Sequence, residues 1–210
     1  MSKKVSIAVV RRLPRYYRHL ASLIDSGVVR MSSEGLGNRM GLTASQVRQD
    51  FSCFGGFGQQ GYGYNVETLY RQIGSILGAD GQYNVVIIGA GNMGHALANH
   101  SSFKKMGFKI IGIFDVNPML IGTKIREIEI IHIDSMDEFC MENHVDIAVL
   151  CVPSNRTCDI AKKMISLNIK GIWNFSTVEL EVPNDTVVEN VHLSDSLMVL
   201  GFCIKGKSKA

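Results

Sequence analysis

Apolar positions recur at helical spacing over the first 80 residues, then gather from Tyr83 onward into short β-branched runs set between helix-length stretches. Tyr16, Leu20, Leu23 and Ile24 mark a first helix, opened by Pro14 and stopped by Gly27. Ser32 or Ser33 caps a second, from Glu34 to about Met40, which ends at Gly41. Thr43-Ala44-Ser45-Gln46 reads as a capping box opening a third helix. On that helix Val47 and Phe51 share one face, while Ser45, Gln46, Arg48 and Gln49 point elsewhere. The glycine- and aromatic-rich stretch from Phe54 to Asn65 predicts a β-hairpin. A fourth helix carries Val66, Leu69, Tyr70 and Ile73 and runs to about Leu77.

The polar segment 78–82 places a domain boundary near 79–83. Beyond it, Tyr83 to Ile88 has the β-branched character of a buried parallel strand and runs into Gly89-Ala90-Gly91-Asn92-Met93-Gly94. A helix follows, then a strand from Phe108 to Phe114 that ends at Asp115. Further units are a strand over 146–152, a helix from about Arg156 to Leu167, and a strand from Gly171 to Phe175. From about Asn190 an apolar final helix carries Leu193, Leu197, Leu200 and Phe202, too apolar to stand in solvent. The pattern predicts an α/β chain: a winged helix-turn-helix domain over 1–80, a Rossmann-type parallel-sheet domain over 81–190, and a C-terminal helix and tail over 191–210.

Charge sharpens this division. Residues 1–50 hold nine Lys/Arg against three Asp/Glu, a balance of +6, whereas the rest of the chain stands at −3. A basic helix-turn-helix unit fits a polyanion. Ser45, Gln46, Arg48 and Gln49 have the chemistry of groove readout, and Ser32, Ser33 and Thr43 that of phosphate contact. Gly58, Gln59, Gln60 and Tyr62 would form the wing. The 46% apolar composition argues against disorder, and the apolar runs are far too short for a membrane helix. Arg11, Arg12, Arg15 and Arg18 interrupt any signal-peptide core, so a cytoplasmic protein is expected. The five cysteines and six histidines show no metal-ligand spacing, so no metal is expected.

The glycine motif sits between a strand and a helix, with an acidic residue at the next strand's end, which is the context of the dinucleotide fingerprint. Gly89 permits the turn, Gly91 the approach of the pyrophosphate, and Gly94 the packing of helix on strand. Ala90, Asn92 and Met93 would offer N–H groups to the phosphates. Asp115 and Val116 would meet the adenosine ribose, and no nearby Arg or Lys invites a 2′-phosphate, so NAD is favoured over NADP. Cys151, Val152 and Pro153, with Asn174 and Phe175, lie at strand ends and are either nicotinamide contacts or structural turns. A small NAD-dependent oxidoreductase would need a catalytic domain for which the chain has no room. A CoA-binding subunit is opposed by Asp115 and by the basic domain.

Segments 42–51, 53–55, 61–65, 89–94, Asp115 and 171–175 together resemble the Rex-type redox-sensing transcriptional repressors of bacteria, over roughly residues 5–203. The resemblance implies a non-catalytic homodimer with exchanged C-terminal helices. It would bind double-stranded operator DNA as an inverted repeat, NADH releasing it and NAD⁺ permitting binding. It also implies a redox-dependent contact at Arg18. Departures from the family pattern are Gln49 and Gln60 where basic residues are common, His100 for a Tyr at the nicotinamide site, and His192 for an Asp that pairs with Arg18. Asp195 lies one turn beyond His192. These four residues, Arg18, His100, His192 and Asp195, form the expected redox switch.

Overall fold

The computed structural model describes residues 5–55, 57 and 62–207 and divides after Gly81 into two compact units. In the first, α1 (Ile7–Val10) leads into α2 (Leu13–Asp25), followed by β1 (Arg30–Met31), α3 (Ser33–Met40), α4 (Ala44–Ser52), β2 (Tyr64–Asn65) and α5 (Val66–Ile76). Leu13, Tyr16, Leu20 and Leu23 of α2 meet Leu36, Val47, Phe51, Leu69 and Ile73 in one buried cluster. The starts of α3, α4 and α5 are closed by side chains: Ser32 Oγ accepts from Gly35 N at 2.9 Å, Thr43 Oγ1 from Gln46 N at 3.1 Å, and Asn65 Oδ1 from Thr68 N at 2.8 Å. Caps of this kind contribute about 1 kcal/mol each. The turn between α3 and α4 needs its glycines. Gly41 is left-handed, with φ 69°. A Cβ on Gly37 would stand 2.5 Å from the Leu42 carbonyl oxygen.

Two expectations change here. The capping box is only half made, because Gln46 turns its side chain to Asp50 instead of back to Thr43. The hairpin expected over 54–65 takes a different form among the described residues: Tyr64–Asn65 pairs antiparallel with Arg30–Met31. Phe54 and Gly55 continue the turn that ends α4. Gly58, Gln59 and Gln60 lie outside the described residues.

The second unit is a seven-stranded sheet. Its elements are β3 (Tyr83–Ile88), α6 (Asn92–Ala98), α7 (Ser102–Lys105), β4 (Phe108–Asp115), β5 (Lys124–Ile125), β6 (Ile128–His132), α8 (Met136–Glu142), β7 (Ile147–Leu150), α9 (Ser154–Ser166), β8 (Gly171–Asn174), β9 (Val187–Asn190) and α10 (Leu193–Lys207). The order is β5-β6-β4-β3-β7-β8-β9, parallel throughout except for β5 against β6. The parallel ladder sets the carboxyl ends of β3, β4, β7 and β8 along one edge. One face buries Val86, Ile88, Ala148 and Ile172 under Met136 of α8 and Ala161 and Met164 of α9. The other buries Val85, Ile87, Ile113 and Val149 with Ala98 of α6.

That second face is covered unevenly. Residues 175–186, between β8 and β9, form no helix. The sheet beyond β7 therefore opens onto an apolar cavity of about 420 Å³, lined among others by Phe103, Met106, Ile147, Trp173 and Val187. Along α10, Leu197, Met198, Leu200 and Phe202 are exposed. The chain thus carries an apolar helix in solvent and a bare apolar sheet face.

Candidate functional site

In the first unit, α4 presents Ser45, Arg48 and Gln49 to solvent, with Gln46 half-buried at its third position. Arg48 is already oriented, its Nη1 donating to Ser33 Oγ at 3.1 Å across the α3–α4 turn. Arg15 closes α3 from the side by donating to the Met40 carbonyl at 2.9 Å. Tyr62 is exposed, its carbonyl accepting from Arg30 at 3.2 Å and its ring lying 6.0 Å from that guanidinium. Ser32 is spent on its cap, as is Thr43.

Behind this surface stands a polar cluster that spacing alone did not single out. Asp50 is fully buried on the inner side of α4. Arg12 grips it bidentately, Nε to Oδ2 and Nη2 to Oδ1, both at 2.7 Å. The Tyr16 hydroxyl donates to Oδ2 at 2.9 Å and Gln46 Nε2 to Oδ1 at 2.9 Å. Burial by itself would push the Asp50 carboxyl up, but the hydrogen bonds from Arg12, Gln46 and Tyr16 outweigh it and hold it below the ordinary carboxylate range. The signal available in the sequence was positional: Asp50 follows Val47 by three and Gln46 by four, which places it on the buried face.

In the second unit the loop after β3 has the form a pyrophosphate needs. Gly89 adopts φ 98°, and a Cβ there would stand 2.5 Å from the Cys151 carbonyl oxygen. A Cβ on Gly94 would fall 1.8 Å from the Gly89 carbonyl oxygen, so α6 packs against the loop backbone itself. Gly91 is different, since a Cβ there would meet nothing within 4 Å. Its open flank is a cradle that a phosphate group fits. Ala90 is buried, Met93 half-buried and Asn92 exposed.

Asp115, at the end of β4, ties the loop together. Its Oδ2 accepts from Ala90 N at 2.6 Å, and its Oδ1 from Val116 N and Asn117 N, both at 2.8 Å. Burial pushes the Cys151 thiol up to about 12, so it stays protonated and serves as packing behind Gly89. Val152 is half-buried and Pro153 exposed. Ser154 Oγ lies 3.0 Å from Thr177 Oγ1, joining the loops after β7 and β8. Asn174 is buried and internally committed: Nδ2 donates to the Val178 carbonyl and to Asn190 Oδ1, both at 2.8 Å, and Oδ1 accepts from Ser176 N at 3.0 Å. Its side chain shapes the loop. Phe175 stacks edge-on against Trp173 at 4.7 Å.

The expected switch residues are distributed over both units. Arg18 is exposed on α2. His100 follows α6, stacked on Phe103 at 4.5 Å with its Nδ1 2.8 Å from Ser102 Oγ. His192 begins the approach to α10, with Nδ1 3.7 Å from Asp195 Oδ2, too long for a hydrogen bond. Its Nε2 is buried without a hydrogen-bond partner among the described residues. Those residues hold no group of three or more metal-ligating side chains and no helix long and apolar enough to cross a membrane.

Comparison with known proteins accounts for both units. A family described as CoA binding domain matches residues 80–178, and one described as putative DNA-binding protein N-terminus matches residues 4–52. The redox-sensing transcriptional repressor Rex of Caldanaerobacter subterraneus subsp. tengcongensis is 54% identical over 204 residues, 96% of this chain and 91% of that one. The repressor of the same name from Clostridioides difficile is 50% identical and covered to 97% on both sides. Among solved structures, RSP in complex with β-NAD⁺ and operator DNA matches at 50% identity and a TM-score of 0.91, over 97% of this chain and 94% of that one. RSP in complex with β-NADH matches at 47% and 0.92, over 98% and 97%.

Proposed function

Because the chain belongs to the Rex family of redox-sensing transcriptional repressors, we propose that it binds operator DNA as a homodimer and leaves it when NADH is bound. The protein is a regulator and not an enzyme. The observation that carries this reading is the union, in one chain, of a helix-turn-helix surface with an oriented Arg48 and a dinucleotide loop left open at Gly91. NAD(H) supplies no chemistry here; it is the regulatory ligand. The residues around Gly91 would hold its pyrophosphate, and Asp115 its adenosine ribose. Arg18, His100, His192 and Asp195 would carry the redox contact, and the inverted repeat of the operator would mirror the dimer. NADH must favour a dimer geometry that cannot bind DNA, since only differential affinity moves such an equilibrium.

The bare sheet face and the exposed α10 support exchange of that helix between subunits. Removal of residues 193–210 is expected to leave a monomer in sedimentation velocity, and a truncated chain that stays dimeric would oppose the exchange. The test of function is fluorescence anisotropy on duplex DNA from the protein's own promoter region, titrated at fixed salt with NADH and separately with NAD⁺. Release by NADH alone is expected. DNA binding indifferent to both nucleotides would remove the sensor from this reading.

Asp115→Ala sharpens the cofactor half. Loss of a hydrogen bond to a charged group costs about 1.5–3 kcal/mol, so NADH affinity is expected to fall by roughly 10-fold or more. DNA binding should persist and respond poorly to NADH. Unchanged NADH affinity by fluorescence titration would sink the ribose assignment.

A further inference from the structure

We propose that Asp50 determines which base Gln46 reads, by fixing the glutamine amide so that one carbonyl acceptor and one N–H donor remain for DNA. This rests on the DNA-binding reading above and adds a positioning residue to it. Gln46 is the third residue of α4, and the N-terminal residues of a recognition helix are those that reach base edges. Its Nε2 donates to Asp50 Oδ1 at 2.9 Å. The carboxylate cannot turn away, because Arg12 holds both of its oxygens at 2.7 Å and Tyr16 holds Oδ2 at 2.9 Å. An ionised carboxylate accepts only. A flipped amide would therefore set Oε1 against Oδ1, acceptor against acceptor, so a single orientation survives.

The consequence for readout follows from counting donors. A free glutamine amide has two N–H donors and a carbonyl oxygen. With one N–H committed to Asp50, the remainder is one donor beside one acceptor. Adenine offers the complement in the major groove, its N7 accepting and its N6 amino group donating. Guanine offers two acceptors, N7 and O6, and would leave Gln46 Oε1 facing one of them. Asp50 thereby turns a residue able to satisfy either purine into one that discriminates, without touching DNA itself.

The experiment uses the full chain and a duplex it selects from a randomised pool, with each position then exchanged between A·T and G·C. In the wild type, one position in each half-site should prefer adenine by about 5- to 150-fold, the span of a bidentate base contact. Gln46→Ala should abolish the preference at that position. Asp50→Asn, which lets the amide flip by offering a donor, should bring the ratio there towards one and leave the ratios at other positions unchanged. A uniform loss of affinity with the ratio kept would make Asp50 merely structural and overturn the proposal. So would the absence of any position whose preference depends on Gln46. If Asp50→Asn does not fold, the wild-type Gln46 side-chain amide decides by NMR, its resonances assigned through Gln46→Ala. One Nε2 proton exchanging slowly and its twin fast supports a fixed amide, and two rapidly exchanging protons overturn it. A wild type that binds no duplex at all defeats the DNA-binding reading, which is a different failure.

Discussion

Asp50→Ala is expected to destabilise the first unit by about 1.5–3 kcal/mol, the usual cost of losing hydrogen bonds to a charged group, since the Arg12 left behind keeps part of its side chain in water. Arg12 would lose its bidentate partner, and Tyr16 would keep a buried hydroxyl that has lost its acceptor. An unfolding curve in urea, followed by circular dichroism, measures the loss. A change below about 1 kcal/mol, the level of an exposed ion pair, would show the cluster to be dispensable. The same group sets an acid limit. Its carboxyl lies below the unfolded value of 3.8, so its contribution is complete above that pH and is lost as pH falls through the lower folded value. At neutral pH the network should be insensitive to modest acidification.

Gly91→Ala should act on the other unit in the opposite manner, sparing the fold and removing the ligand. The added Cβ meets no protein atom within 4 Å, and φ of −65° suits any residue. It does occupy the flank where a pyrophosphate must approach the backbone. Losing one or two hydrogen bonds to a charged group corresponds to a 10- to 100-fold weaker NADH complex at least, at about 1.5–3 kcal/mol each. The melting temperature without ligand should stay within a degree or two of the wild type, and the stabilisation by a given NADH concentration should shrink in step with the weaker affinity. Gly94→Ala provides the contrast, because its Cβ would overlap the Gly89 carbonyl and must disturb the fold. Wild-type NADH affinity in Gly91→Ala would place the pyrophosphate elsewhere.

The glycine loop was legible because each element around it has a local signature: a β-branched strand, a turn that needs Gly89, and an acidic residue at the next strand's end. Helices α2 to α5 of the first unit were equally plain, the caps of α3 and α4 at Ser32 and Thr43 standing where spacing put them, whereas the four-residue α1 was too short to show a period. What escaped was decided by tertiary context. Asp50 is charged, and only its placement three residues from Val47 hints that it is buried; the partners that make this tolerable lie 34 and 38 residues away. Asn174 looked available for a ligand at a strand end, yet Val178, Ser176 and Asn190 use its amide. The two-residue strands β1 and β2 are too short to show any alternation, so their pairing across the helix-turn-helix had no pattern to announce it. Strands β5, β6 and β9 were missed for a related reason: β5 and β9 are short edge strands, and β6, paired between β5 and β4, is a five-residue run of mixed polarity.

Trp173 faces the apolar cavity between Phe103 and Phe175, and it is the protein's one tryptophan. All the tyrosines except Tyr83 belong to the other unit. The two halves of the molecule are therefore optically separate. Excitation at the red edge of the absorption band reports on the sheet face alone, and its emission overlaps the absorption of reduced nicotinamide but not of the oxidised ring. Melting of the helical unit will pass almost unseen in that channel, while ligand arrival or a change in what covers β8 will register directly, with no label attached.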